Sequence, residues 1–313
     1  MKIGFLGKGG SGKTTITAAF TSWLEGNADR VIAIDGDVNT HLQDALNIAS
    51  EPPQLGRLYD EIATYVRGER TDLGDRPLLS TTPPSPQSRF ITCASDDPFL
   101  ARYAVTRGSL SFMRVGGFQE HDVGANCYHT KLHSMCVVLN HLKDTNNEWV
   151  VVDATAGVDT LSTSLVAAYD LNVFVIEPTM KSINVYRDYI ATDPESATRT
   201  VVLVNKVLSD SDMDFVRRAL PDMCIVGSVS LSGALRHSEQ GDRAAFKTFI
   251  NEHDDIWGAL QSECARRRRS WGAFQSRLHD IHKKNCEWWY NAYYNQTLHT
   301  GLDAPFEFDS NPT

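Results

Sequence analysis

Nine consecutive residues near the amino terminus, Gly7-Lys8-Gly9-Gly10-Ser11-Gly12-Lys13-Thr14-Thr15, constrain this chain more than any others. They satisfy the pattern G-x-x-x-x-G-K-[ST]. They also sit between an apolar β-type run, residues 2–6, and a helical pattern carried by Ile16, Ala19, Phe20, Trp23 and Leu24. Strand, glycine-rich loop and helix in that order make an anion nest. The glycines let the backbone turn tightly, so that main-chain N–H groups of Gly7, Gly9, Gly10, Ser11, Gly12 and Thr15 approach phosphate oxygens. The helix adds its positive amino-terminal end. Lys13 then reaches the β- and γ-phosphates, and the Thr14 hydroxyl completes the shell of a Mg²⁺ ion. A chain built on this unit is expected to bind a nucleoside triphosphate.

Six further apolar runs follow, at residues 31–35, 109–115, 149–153, 171–177, 200–205 and 224–229. Each is continuous rather than alternating, as in strands buried on both faces of a parallel sheet. The expected fold class is α/β, a doubly wound, mostly parallel sheet of about seven strands. Residues 50–89 are polar and Pro-rich (Pro83-Pro84-Ser85-Pro86) and read as a surface insertion with some helix over 58–66. A formal charge of -9 argues against a surface that grips nucleic acid over its whole extent. No apolar run is long enough to span a bilayer, and the phosphate loop starts too early to leave room for a signal peptide, so a cytoplasmic address is expected. In a reducing compartment the six cysteines read as core thiols or metal ligands.

Carboxylates sit where such a sheet places ligands, at the carboxyl ends of strands. The second run ends in Asp35-Gly36-Asp37, a pair able to orient an attacking water and to hold magnesium through water. Val150-Val151-Val152-Asp153 reads as a buried strand from which Asp153 emerges beside the magnesium, and Gly157 would let a main-chain N–H approach the γ-phosphate. After a later strand, the Asn205 side-chain amide of Asn205-Lys206 can pair with a purine edge.

Two other features stand out. His121, Cys127, His129, His133, Cys136 and His141 crowd into one segment. Soft thiolate with imidazole suits Zn, Ni or Cu rather than Mg, and Cys127 and His129 would precede a helix beginning near Thr130; the plainer reading is a core thiol at Cys136 and solvent-side histidines. Beyond residue 251, Leu260, Cys264, Arg267, Trp271, Phe274, Leu278, Ile281, Asn285, Trp288 and Ala292 fall on one stripe of a long amphipathic helix. That helix carries four arginines, residues 266–269, and the aromatic cluster Trp288, Trp289, Tyr290, Tyr293 and Tyr294. It either packs on its own domain or a dimer mate, or offers a docking surface.

Lys8 makes the loop resemble the deviant Walker motif of the MinD/ParA/nitrogenase-iron-protein class of P-loop NTPases (the SIMIBI class). That resemblance implies a homodimer in which Lys8 enters the partner's nucleotide site and acts as an arginine finger does. It further implies catalytic roles for Lys8, Lys13 and Asp37, with Asp37 activating water, and a switch at Asp35 near magnesium. Asn205 and Lys206 would contact adenine, which selects ATP over GTP. The order of these motifs, with Glu177-Pro178-Thr179, Ser182 and Arg217-Arg218-Ala219-Leu220-Pro221, looks like the CooC-type ATPases that help insert nickel into carbon monoxide dehydrogenase, over about residues 1–250. Those proteins carry Cys-x-Cys and bind metal between two subunits. Here Cys127 matches the first ligand, His129 replaces the second, Thr130 replaces the usual proline, and His41 stands where asparagine is common. The resulting expectation is an ATPase domain, residues 1–250, followed by a helical extension with an acidic tail, residues 251–313. It would be a dimeric ATP- and Mg²⁺-dependent switch for metallocentre assembly or maturation of an unknown client. The alternatives are a partition or positioning ATPase that binds DNA or membrane through the basic helix, and a nucleotide-gated scaffold.

Overall fold

The computed structural model describes residues 1–122, 128–221, 223–267 and 270–307. Eight strands form the main sheet: β1 (Lys2–Gly7), β2 (Arg30–Asp35), β3 (Val105–Arg107), β4 (Leu110–Arg114), β5 (Glu148–Asp153), β6 (Leu171–Ile176), β7 (Thr200–Val207) and β8 (Ile225–Ser230). Their order is β8-β7-β6-β1-β5-β2-β4-β3, all parallel except the β3–β4 pair. All seven apolar runs are strands of this sheet. The eighth, β3, is a three-residue antiparallel edge, too short and too exposed to show as an apolar run.

The continuous hydrophobicity has a direct cause. Successive residues of one strand enter two different cores: Val31 and Ala33 pack on one face of the sheet, Ile32 and Ile34 on the other, and β5 divides Val151 from Val150 and Val152 in the same way. The longer helices are α1 (Lys13–Leu24), α2 (Tyr59–Arg67), α3 (Tyr128–His141), α4 (Met180–Thr192), α5 (Asp210–Ala219), α6 (Gly233–Glu239), α7 (Arg243–Glu252), α8 (Asp254–Arg266) and α9 (Trp271–Asn285). Among these, α1, α7 and α8 cover one face, while α2 to α5 and α9 cover the other.

The carboxy-terminal stripe belongs to two helices, not one. Ile256, Trp257, Leu260 and Cys264 of α8 are buried with α1, whereas Phe274 and Leu278 of α9 are buried in the opposite core. Between them the chain changes faces: Arg267 donates to the Thr198 carbonyl (2.8 Å), and the Ser270 hydroxyl caps α9 by accepting from the Ala273 N–H (3.1 Å). Both helices are amphipathic in the same phase, so the spacing of four and three runs through the break and hides it. On the far side α9 shields Lys2, whose buried ammonium lies 4.0 Å from the Phe274 ring centre and 3.7 Å from Asp144. Of the basic run, Arg266 ion-pairs with Glu263 and Arg267 with the same carboxylate at 2.5 Å; Arg268 and Arg269 lie outside the described residues.

The Pro-rich insertion is also less superficial than its composition implies. Helix α2 matches the expected 58–66, but Leu73, Leu78, Leu79 and the segment Thr81-Thr82-Pro83-Pro84-Ser85 are buried. The carboxy-terminal residues strap it down: Ser85 donates to Asp303 (2.5 Å), Arg76 to the Thr300 carbonyl, and Thr81 Oγ1 meets His282 Nδ1 at 2.8 Å. Turn-forming composition records local backbone preference, and cover from a distant segment does not show in it.

Of the crowded segment, Cys136 is a fully buried thiol pushed up to about 12 by burial, and His141 is fully buried, its Nδ1–H donating to the Val137 carbonyl at 2.9 Å. Cys136 is a core thiol, as the plainer reading had it, whereas His141 departs from that reading: it is a core residue and not a solvent-side histidine. Burial lowers the His141 pKa from the ordinary 6.5 to about 3. The folded pKa is depressed, so the imidazole contributes stability above pH 6.5, and that contribution is lost progressively as pH falls toward 3. Between pH 7 and 5 the loss is about 2 kcal/mol, from 1.36 kcal/mol per unit. Denaturant titrations at both pH values should therefore show the parent losing about 2 kcal/mol more than His141→Gln. Equal losses would mean that the ring protonates inside the fold.

Candidate functional site

Register brings the carboxylates together. Asp35 of β2 lies directly beside Asp153 of β5, and Phe5 of β1 flanks Asp153 on the other side, so the phosphate loop leaves β1 immediately above both acids. β1 is also where strand order reverses, with β5 on one side and β6 on the other, the crevice in which doubly wound sheets bind ligands. A cavity of about 680 Å³ opens there.

Its near wall is the loop. Gly12 stands at φ 85° at the amino terminus of α1, and a Cβ there would come within 2.2 Å of Asn205 Nδ2. No side chain caps that helix end, so its first N–H groups are left for an anion. Lys8, Gly9, Gly10, Gly12, Lys13, Thr14, Thr15, Asp37, Asn205 and Lys206 line the cavity together. Gly7 and Ser11 of the same loop are buried and do not line the cavity.

The floor is an ion cluster. The Lys13 ammonium lies 2.5 Å from Asp153 Oδ1 and 3.1 Å from Asp37 Oδ2, while the hydroxyls of Thr14 and Thr17 donate to Asp153 at 2.6 and 3.3 Å. Burial disfavours the Lys13 charge, but Asp153 and then Asp37 outweigh it and hold its pKa above the ordinary 10.5. The second Asp37 oxygen accepts from the main-chain N–H and the side-chain amide of Asn39 (3.0 and 3.1 Å).

Asp35 is placed differently. It does not line the cavity, and its two oxygens accept from the N–H groups of Asp37 (3.2 Å) and Leu42 (3.0 Å), so it fastens both ends of the loop that carries Asp37. Burial, and then the nearby Asp153, raise its pKa to about 7. Gly157 lies beyond the cavity lining, and its neighbour Ala156 forms part of the wall. The Asn205 amide donates to the Ser11 carbonyl (2.8 Å), and its oxygen accepts from the Lys206 N–H (2.9 Å). Lys206 reaches the Gly10 carbonyl and Glu177, both at 2.6 Å. In this structure the Asn-Lys pair braces the phosphate loop.

The far wall had no counterpart in the sequence reading. Ser230, Leu231 and Ser232, at and just past the carboxyl end of β8, with Gly233, Leu235, Arg236 and Glu239 of α6, face the loop across the cavity. The one available signal was position, since this segment follows a β-run directly, where a parallel sheet puts its ligands. Of the proposed thiol-imidazole pair, Cys127 lies outside the described residues and His129 is half-buried in the first turn of α3. Among the described residues no three His, Cys, Asp or Glu side chains gather as a metal site.

The model for the CobQ/CobB/MinD/ParA nucleotide-binding domain matches residues 5–242. This chain belongs to that family. It is an ATPase of the MinD/ParA type, and the fold of solved relatives agrees. It is 25% identical over 248 residues to the carbon monoxide dehydrogenase accessory protein CooC of Rhodospirillum rubrum, covering 79% of this chain and 89% of that one. It is 29% identical over 183 residues to an uncharacterized ATP-binding protein of Methanocaldococcus jannaschii, covering 58% and 65%. A ParA family ATPase from Chlorobium tepidum superposes with a TM-score of 0.59 at 15% identity, over 83% of this chain and 97% of that chain. The MinD/ParA-type and CooC-like resemblance drawn from Lys8 and the motif order therefore holds for the family. No helix among the described residues is long and apolar enough to cross a membrane.

Proposed function

We propose that this ATPase is a homodimeric, nucleotide-gated switch that assists assembly of a metallocentre or maturation of a client protein. The observation that carries the switch is the Lys13 ammonium shared between Asp37 and Asp153 on the cavity floor. An incoming triphosphate competes for that lysine and frees both acids for other work. Thr14 and Asp153, hard oxygen donors side by side, would then hold a Mg²⁺ ion, which supplies positive charge across the β- and γ-phosphates. Asp37 aligns the attacking water, and Lys8, on the cavity rim, serves the site of the twin subunit. Loss of the γ-phosphate lets Lys13 return to its two carboxylates. Asp35 ties that exchange to the loop of residues 36–42, which makes the cycle one of shifting populations rather than fast turnover.

The maturation role is supported by similarity to a carbon monoxide dehydrogenase accessory protein over most of its length, and by Cys127-Tyr128-His129. A rival basic-helix surface for DNA or membrane is disfavoured, because Arg266 and Arg267 are paired with Glu263 in cis. Metal analysis of purified protein decides the matter. The expected result is roughly one Zn or Ni ion per pair of chains, lost in Cys127→Ser, with two thiolates and two imidazoles completing a four-ligand shell. Protein free of any thiol-dependent metal would sink the maturation role and leave the ATPase standing.

A further inference from the structure

After α9 the chain continues through a π-helical turn, Cys286–Tyr290, and a last helical turn, Asn291–Tyr294. Its inner side is anchored, because Cys286 packs with Leu79 and Leu298. The outer side carries Trp288, Trp289 and Tyr293 at 86%, 57% and 68% exposure. Part of this surface is held by ring contacts: Trp289 and Tyr293 stack at 5.8 Å with 17° between their planes, and Tyr293 meets Tyr294 edge-on at 4.9 Å. An exposed aromatic cluster of this kind marks an interaction site, and its stacked members have less rotamer freedom left to lose.

The rim identifies what covers it. Asp280, Lys283, Lys284 and Glu287 line a shallow depression of about 370 Å³ with Trp288. Two acids and two bases sum to zero charge, on a chain whose formal charge is -9. Nucleic acid or anionic lipid calls for a positive field that this rim lacks. An alternating rim suits a protein surface with the same alternation, and a two-fold axis can supply one: Glu287, which is exposed and within the chain has only the long approaches of Lys283 at 4.0 Å and His299 at 3.6 Å among the described residues, would meet Lys284 of the other copy. Size agrees as well. At about 150–250 Å² per fully buried aromatic ring, the exposed rings offer on the order of 500 Å² per copy, and the rim brings this toward the roughly 800 Å² per partner of a stable contact.

We propose that the outer face of residues 280–294 is a self-association surface, through which two copies pair isologously with each Trp288 seated in the depression of the other. The contact lies outside the nucleotide cavity, so it forms without nucleotide and does not depend on the Lys8 reading. Sedimentation analysis of the full chain without nucleotide, and with any bound metal removed by a chelator so that no metal-bridged pair contributes, should give twice the 34.8 kDa chain mass. Trp288→Ser with Trp289→Ser should return it to the single-chain mass with the circular dichroism spectrum unchanged. Lys284→Glu and Glu287→Lys should each weaken the dimer by about 10-fold, and their combination should restore it to within about 3-fold, as swapped partners of an interface charge pair do. Lys8→Ala should leave this dimer intact. The proposal is overturned by any of three results: a parent chain that stays single at about 100 μM, well above the Kd of a standard-size contact; a dimer indifferent to the tryptophans; or Trp288-dependent capture by anionic vesicles or single-stranded DNA while the chain stays single.

Discussion

Asp37→Asn is expected to lower the rate of ATP hydrolysis by about 10²–10⁴-fold, the contribution of a positioned general base, while ATP still binds. The geometry separates the two effects. Binding rests on the loop amides, Lys13 and Thr14, none of which the substitution alters, and asparagine keeps the oxygen that accepts from the Asn39 N–H and amide. What is lost is the carboxylate charge, and with it the means to draw a proton from water. Lys13 keeps its shorter bond to Asp153. Phosphate-release assays alongside nucleotide titrations would show an ATP-loaded protein that turns over slowly. A variant that hydrolyses within tenfold of the parent would remove Asp37 from the chemistry and leave it a loop anchor.

The parts legible in the sequence were those fixed by short-range chemistry. Lys13, Thr14, Asp37 and Asp153 could be read because each follows a strand buried on both faces, and such strands show as unbroken apolar runs whatever the rest of the fold does. The far wall, from Ser230 to Glu239, could not be read, since small and charged residues after a strand carry no spacing of their own. The turn near Arg267 was hidden for the opposite reason: two amphipathic helices in phase produce one uninterrupted pattern, and only tertiary cover tells them apart. Asn205 shows a third limit. Its amide can address a purine or a main-chain carbonyl equally well, and the neighbour that engages it, Ser11, lies 194 positions away in sequence. The asparagine-lysine pair nonetheless marked the right wall of the cavity.

The second large effect concerns Lys13, and it falls on stability as well as on nucleotide affinity. Lys13→Met leaves Asp153 fully buried, with only the hydroxyls of Thr14 and Thr17 to compensate its charge. Removing one partner of a buried pair costs about 3–5 kcal/mol, so the nucleotide-free variant should unfold at clearly lower denaturant than the parent. Lys13→Met combined with Asp153→Asn removes both charges and should recover most of that loss without recovering ATP binding. Titration of Lys13 itself leaves the penalty unchanged near neutrality, and what pH dependence there is comes from Asp35, whose pKa of about 7 makes the penalty shrink as pH falls through that value. The raised pKa of Lys13 means that its stabilisation is present below 10.5 and is lost only above the folded value. Protonation of Asp35, no longer restrained by the lysine charge, would relieve part of the penalty toward acid. A single variant as stable as the parent, or a double variant no better than the single, would mean that the ammonium holds no net energy on the floor of the site. ATP would then have nothing to displace, and the exchange of Lys13 between carboxylates and phosphates could not drive the switch.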